Sequence, residues 1–303
     1  MSPRLLGNLA GVTGMLVWTT SLPATAEVLK TWHPLLVVPA RMFCGTLFLF
    51  AMLALRERQP DYTRPSIWGI TIAGAYLAIS TILLVVGQSL ASPVSVGIII
   101  AAMPAVSAVI GLFTGAEHPN AQIVTGILLA CIGGAVTTLG AGNDLGAQGA
   151  AIGLGEILVL LSTVFFILFT RTSIIRLPDM SDLARAATTI AVATVMTAIV
   201  AAVIAATGIL QLPYELGGMQ IGLIVWLGIG TMGISLAFWV TACRLLGVTV
   251  ASMHNNLVPF YAILFSLILG HAVSPAQLVG GLLVISGAIL AQLQFKTAKF
   301  RIR

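Results

Sequence analysis

The chain is written twice, and each copy holds an odd number of membrane-length segments. Ala105 to Leu139 follows Met103-Pro104 much as Phe260 to Leu293 follows Val258-Pro259, at an offset of about 155 positions. At that offset Gly115 falls on Gly270, Ala121-Gln122 on Ala276-Gln277, Gly126 on Gly281 and Ser80 on Ser235. Nearer the start of each copy the offset is about 144, so Pro34 falls on Pro178 and Arg41 on Arg185. The longer polar stretch from Gly208 to Gly218 absorbs the difference. Five apolar segments per copy oblige the second copy to sit in the bilayer upside down relative to the first. Inverted duplication is the architecture of membrane transporters, with the substrate site between the copies.

The segments are predicted at 6–28, 34–55, 65–86, 93–114, 120–139, 151–170, 183–207, 219–241, 248–269 and 276–295. Turn signals separate them, among them Trp32-His33-Pro34, His118-Pro119-Asn120, Pro178-Asp179 and Ser274-Pro275. A bilayer-crossing helix needs about 20 apolar residues, so ten such helices take up most of the 303 residues. The runs are long and lack the period-2 alternation of barrel strands. Apolar residues make up 58% of the chain and charged ones 8%, against about a quarter charged in a soluble domain. The expected fold is therefore an all-α membrane protein of ten transmembrane helices in two inverted-topology five-helix repeats, residues 1–140 and 141–303. No length remains for a separate catalytic or nucleotide-binding domain.

Arg4, the apolar run to Trp18 and Ala24-Thr25-Ala26 imitate a cleavable signal peptide. The apolar segment runs on to Val28, and its removal would leave the first copy one helix short, so it reads as a retained span. Cys44, Cys131 and Cys243 lie far apart without metal-ligand spacing and read as small core residues. No metal and no cofactor is expected. The basic residues flank spans, which points to a lipid bilayer and away from nucleic acid as the surrounding partner. The sequence carries no oligomerisation signal, and a monomer is compatible with it.

Loop charge sets the orientation. With the N-terminus cytoplasmic, every Lys and Arg except Lys30 and Arg41 falls on the cytoplasmic side. Equivalent loops have exchanged their charge: the loop with Lys30 corresponds to the one with Arg171 and Arg176, and the loop with Arg56 and Arg58 to the uncharged 208–218. Both termini are expected in the cytoplasm.

Several polar side chains fall inside spans, where an unsatisfied group costs several kcal/mol. His254, Asn255 and Asn256 lie about two turns inside span 9; they either line a cavity or bond neighbouring helices. Tyr261 shares the helical face of His254. Trp18 sits near mid-depth in span 1, where it faces a cavity or packs with its N–H bonded, whereas Trp32, Trp68 and Trp239 read as interfacial anchors. Tyr76 and Ser80 in span 3, Ser162 in span 6 and Ser235 in span 8 form a near-central set. Glu156 is the one acid placed well inside a span, a turn and a half from its outer end. Either an ion pair, Arg41 with Glu27 or with Glu156, holds the outer ends together, or Glu156 takes a proton during transport. Pro104 and Pro259 occupy the centres of equivalent helices and are expected to kink them.

Trp18, Pro34, Arg41 and Pro104, followed by the short Glu117 turn before a Gln122–Gly126 span, stand in an order that resembles the EamA-type branch of the drug/metabolite transporter superfamily. The resemblance covers both copies. The stretch Ser252-Met253-His254-Asn255-Asn256 through Pro259 is most similar to the bacterial YddG-type exporters, which implies export of aromatic and some other amino acids from the cytoplasm across the bacterial inner membrane. The second copy departs from the first in having Ser162 for Trp18 and Ala272 for Glu117, so a site there is asymmetric.

The expectation is a secondary transporter working by alternating access on neutral amino acids, with an exporter of drugs or other small metabolites as the alternative. An amino-acid zwitterion needs polar contacts at two ends and an apolar pocket between, and Asn, His, Ser, Trp and Tyr supply these. The absence of a P-loop signature excludes nucleotide hydrolysis by this chain. The absence of HExxH and of paired carboxylates within spans argues against an intramembrane enzyme, and the absence of a charged ring or filter motif argues against a channel.

Overall fold

The structure, a computed structural model, describes residues 1–56, 66–91, 96, 99–100, 102–114, 121–140, 153–258, 260–261 and 275–292. Pro259, Gly115, Glu117, Gly270, Ala272 and the basic residues Arg58, Arg64, Lys296, Lys299, Arg301 and Arg303 lie outside the described residues. Every regular element among those described is helical.

Local chemistry marks the helix ends. Helix α1 (Pro3–Thr19) opens with Ser2 Oγ accepting the Leu5 N–H at 3.3 Å and a proline in its first turn. It breaks at Thr20, whose hydroxyl donates back to Val17 O, and continues as α2 (Ser21–Val28). Helices α3 (Pro34–Arg56) and α4 (Ile67–Leu90) follow, α4 capped by Ser66 Oγ on the Gly69 N–H at 3.0 Å. Then come α5 (Met103–Thr114), α6 (Ala121–Gly140), α7 (Leu154–Arg176) and α8 (Asp182–Thr207). Gly208 ends α8 in the left-handed region at φ 65°, which glycine enters without steric cost.

The next span is irregular: α9 (Gly218–Trp226) runs into a π-helical segment, Leu227–Ser235, and out as α10 (Leu236–Leu246). After Gly247, α11 (Val248–Ser252) tightens into a 3₁₀ turn, Met253–Asn256. Helix α12 (Pro275–Gln292) closes the described chain.

Pro104 does not kink the middle of a helix. It is the second residue of α5, behind a turn at Ala102 whose carbonyl accepts the Ala105 N–H at 3.0 Å. Proline lacks an N–H and is tolerated in a first turn, where no intrahelical donor is needed, so the helix restarts there rather than bending through it. At the offset of about 155 the 3₁₀ turn lies opposite residues 98–101. Of these, Ile99 and Ile100 are helical, so among the described residues the tightened turn belongs to the second half.

Among the described residues six helical stretches are long and apolar enough to cross a membrane: Pro3–Val28, Pro34–Arg56, Ile67–Leu90, Leu154–Arg176, Asp182–Thr207 and Gly218–Leu246. Large apolar side chains such as Leu9, Phe43, Leu47, Leu160, Val195 and Ile199 face outward. An exterior this apolar suits lipid and not water. The chain is a multi-pass membrane protein.

The main packing partners each join one helix of the first half to one of the second: α1 with α10, α3 with α8, α4 with α7, and α6 with α12. Exchanging the halves converts the α1–α10 pair into the α4–α7 pair and maps the other two onto themselves. Packing between α3 and the π segment has its counterpart in packing between α4 and α8.

Polar ties close both ends. At one, Trp32 Nε1 donates to Glu215 O at 2.7 Å and the His33 N–H to Pro213 O at 2.8 Å. At the other, Asp182 accepts from Arg244 Nε at 2.7 Å and Arg185 Nη1 at 3.2 Å, and Arg171 Nη2 donates to Ser107 O at 3.1 Å.

Candidate functional site

Between these ties lies a cavity of about 50 Å³, measured as the volume open to the centre of a water-sized sphere. Helices of both halves wall it. The first half gives Met15 and Trp18 from α1, Arg41 from α3, Leu77, Ser80, Thr81 and Leu84 from α4, and Ile100 and Met103 beside the break before α5. The second half gives Ser162, Thr163 and Phe166 from α7, Thr231, Met232 and Ser235 from the π segment, Leu236 and Trp239 from α10, and Asn255 from the 3₁₀ turn. At roughly 10–15 Å³ per water on this measure the space admits a few waters. A molecule the size of an amino acid enters only when the walls part.

Trp18, Ser80, Ser162, Ser235 and Asn255, all expected on sequence grounds, share this cavity. Ser80 Oγ donates to Ser162 O at 2.9 Å and Ser235 Oγ to Gly14 O at 2.9 Å. These equivalent serines each pin one half to the other. Ser162, Thr81 and Thr163 donate to carbonyls of their own helices at 2.7–2.8 Å, and Thr231 does the same to Leu227 O. A hydroxyl has one proton and two lone pairs, so with the protons committed to backbone these side chains offer a bound molecule acceptor oxygens. Asn255 Nδ2 donates to Ser252 O at 3.0 Å and meets Met103 Sδ at 3.2 Å.

Other expected residues lie outside this cavity. The His254 ring packs on α1 at Gly11, where an added Cβ would stand 2.7 Å from the imidazole, and its Nδ1 is 3.0 Å from Ala251 O. Tyr261 donates its hydroxyl to Val12 O at 3.1 Å. Tyr76 stacks at a tilt on Phe165, ring centroids 6.1 Å apart. Asn256 is fully buried, and among the described residues its side-chain nitrogen and oxygen both lack a hydrogen-bond partner.

The expected outer ion pair is not formed. Glu27 bonds Lys30 at 2.5 Å. Glu156 stands at the third position of α7, because that helix starts at Leu154 and not at 151, and its carboxylate accepts the Gly153 N–H at 3.1 Å. Arg41 is 2% exposed, and among the described residues it makes no salt bridge and leaves Nε and Nη2 without a hydrogen-bond partner. Trp239 is no interfacial anchor: it is buried at the cavity wall, donating Nε1–H to Thr170 Oγ1 at 3.0 Å with its ring 5.3 Å from that of Phe166. Its place near the basic end of an apolar run imitated an anchor. Thr81, Thr163 and Thr231 escaped sequence reasoning because threonine within an apolar run signals nothing about the face it occupies.

Residues 5–139 match the model of the EamA-like transporter family, a family of membrane transporters in the drug/metabolite transporter superfamily. No curated protein matches the chain. Among solved structures 29 chains match. One, a crystal structure of a protein 19% identical to this chain, superposes with a TM-score of 0.75 over 97% of this chain and 100% of that one. At that identity the likeness establishes a shared fold.

Proposed function

We infer that a chain whose residues 5–139 match the EamA-like transporter family is a secondary transporter exporting neutral amino acids, aromatic ones included, across the bacterial cytoplasmic membrane by alternating access. The cavity carries this reading. It combines an arginine, hydroxyl acceptors and apolar walls that include Trp18, Phe166 and Trp239, and among the described residues no carboxylate side chain lines it. A zwitterion with an apolar side chain matches that set: a carboxylate needs donors, an ammonium needs acceptors, and the side chain needs dry surface.

The two five-helix repeats, 1–140 and 141–303, work as inverted copies in this reading, with both termini cytoplasmic. The packing pairs that survive exchange of the halves support it. Ties at Trp32–Glu215 and at Arg171–Ser107 serve as the outer and inner closures, broken in alternation. Similarity of the Ser252–Asn256 stretch to the YddG-type exporters points the same way.

A second reading, export of drugs or other small metabolites, draws on Met15, Met103 and Met232 in the cavity wall, since methionine adapts to unlike ligands. Counterflow in proteoliposomes separates the two. Labelled phenylalanine, tryptophan, threonine and methionine, each at two pH values, are expected to exchange. Failure of all four sinks the amino-acid reading, and a change of rate with pH at fixed gradient reveals proton coupling.

A further inference from the structure

We propose that Arg41 receives the carboxylate of the transported molecule and sets the requirement for one. The proposal rests on the transport reading for the existence of a substrate, and adds which end of it is recognised.

Arg41 and Arg185 occupy equivalent positions in the two copies, both near the start of the second helix of their repeat, and both are buried. Arg185 is fully engaged by its own copy. Its Nη2 donates to Met180 O at 2.9 Å and Leu177 O at 3.1 Å, its Nε to Leu177 O at 3.3 Å and its Nη1 to Asp182 Oδ1 at 3.2 Å. Three residues before Arg41, where Arg185 has Asp182, the first copy has the buried Val38. Without that acid the Arg41 guanidinium turns to the cavity wall, and Nε and Nη2 bond nothing among the described residues.

Leaving donors of a buried cation unsatisfied is among the costlier arrangements a protein can hold, and more so inside a membrane. Nε and Nη2 are neighbouring donors on one edge of a planar fork, the edge that binds both oxygens of a carboxylate at once. The same cavity supplies hydroxyl acceptors from Ser80, Ser162 and Ser235, so a carboxylate on Arg41 leaves an α-ammonium facing lone pairs. The copies share a scaffold, and the loss of one acid frees one of two equivalent arginines for ligand.

The test uses the full chain in proteoliposomes. Exchange of labelled phenylalanine is challenged with 3-phenylpropanoate, which keeps the carboxylate and lacks the amine, and with phenylalanine amide and 2-phenylethylamine, which lack the carboxylate. The acid is expected to compete and the other two to compete about 10- to 100-fold more weakly, the loss expected for hydrogen bonds to a charged group. Arg41→Gln is expected to erase that discrimination and Arg41→Lys to keep part of it. If Arg41→Gln does not fold, the wild-type ratio decides alone: amide competing as well as acid overturns the proposal while leaving amino-acid transport intact. Exchange of 3-phenylpropanoate that needs Arg41, with no exchange of any amino acid, upholds the proposal and overturns the amino-acid reading. If nothing exchanges, the shift in Tm of detergent-solubilised protein with each compound decides, and equal or absent shifts for acid and amide overturn it.

Discussion

Hydroxyl groups that give their protons to backbone carbonyls change what a cavity can recognise. Ser80, Ser162, Ser235 and three threonines do so here, and an apolar space is thereby studded with acceptors. Glu156, in contrast, faces a local duty. Its carboxylate sits at the N-terminus of α7, accepting the Gly153 N–H, where a negative charge is favoured by about 0.3–1 kcal/mol. Glu156→Gln keeps an acceptor oxygen, so we expect a drop in stability below about 1 kcal/mol and a transport pH profile that overlays the wild type. A displaced profile in counterflow would restore Glu156 as a proton site. The serines and Trp18 were legible beforehand because polar or amphipathic groups at mid-span depth have few places to go. Arg41 was legible as a buried cation and illegible as an unpaired one, since pairing depends on which helices meet. Glu27 pairs instead with Lys30, three residues on, a local neighbour that the sequence already offered it.

At the scale of elements, the π segment governs the cavity wall. It carries Thr231, Met232 and Ser235 inward, and its Gly228 lies against the backbone of α3, where an added Cβ would collide with Cys44 Cβ and stand 2.5 Å from Arg41 O. Gly45 makes the reciprocal approach from α3, with Gly228 O 2.9 Å from its would-be Cβ. Gly228→Ala should therefore destabilise the protein by about 1–3 kcal/mol through overpacking and weaken substrate binding by displacing Arg41. Gly222→Ala on α9, with open space around it, should be neutral or stabilising by up to about 1 kcal/mol. Thermal unfolding followed by Tm compares the two, and equal shifts would refute the close approach. The positions of the long helices could be read from apolar runs and turn residues. The π segment could not, because an extra residue per turn leaves no periodic mark in a run that is apolar on every face.

For the whole molecule, the proposed opposite orientation of the two copies makes a prediction about sidedness. In a background lacking Cys44, Cys131 and Cys243, cysteines at Lys30 and Asp179 occupy corresponding exposed loops of the two copies. A membrane-impermeant maleimide applied to intact cells should label Lys30→Cys and spare Asp179→Cys until the membrane is opened. Labelling of both from outside would refute opposite orientation. The expectation rests on the duplication and on the charge exchange between loops, both features of the sequence. Which helix of one copy meets which of the other was not, because apolar surfaces in lipid carry no periodic instruction about partners.

That pattern of partnership bears on how the protein is made. The glycine face of α1 is covered by second-half residues, at Gly7 and Gly14 chiefly from α10 and at Gly11 by His254, and the bond from Ser235 to Gly14 spans 221 residues. At about 5–20 residues per second of synthesis, the first helix waits roughly 10–45 s in the membrane before its partner is translated. Until then its close-packing face must be shielded by lipid, by the insertion machinery or by earlier helices acting as temporary neighbours. A messenger truncated after the first repeat would yield helices that insert and then find no mate, natural substrates for membrane quality control. Supplying the second repeat as a separate polypeptide should rescue them.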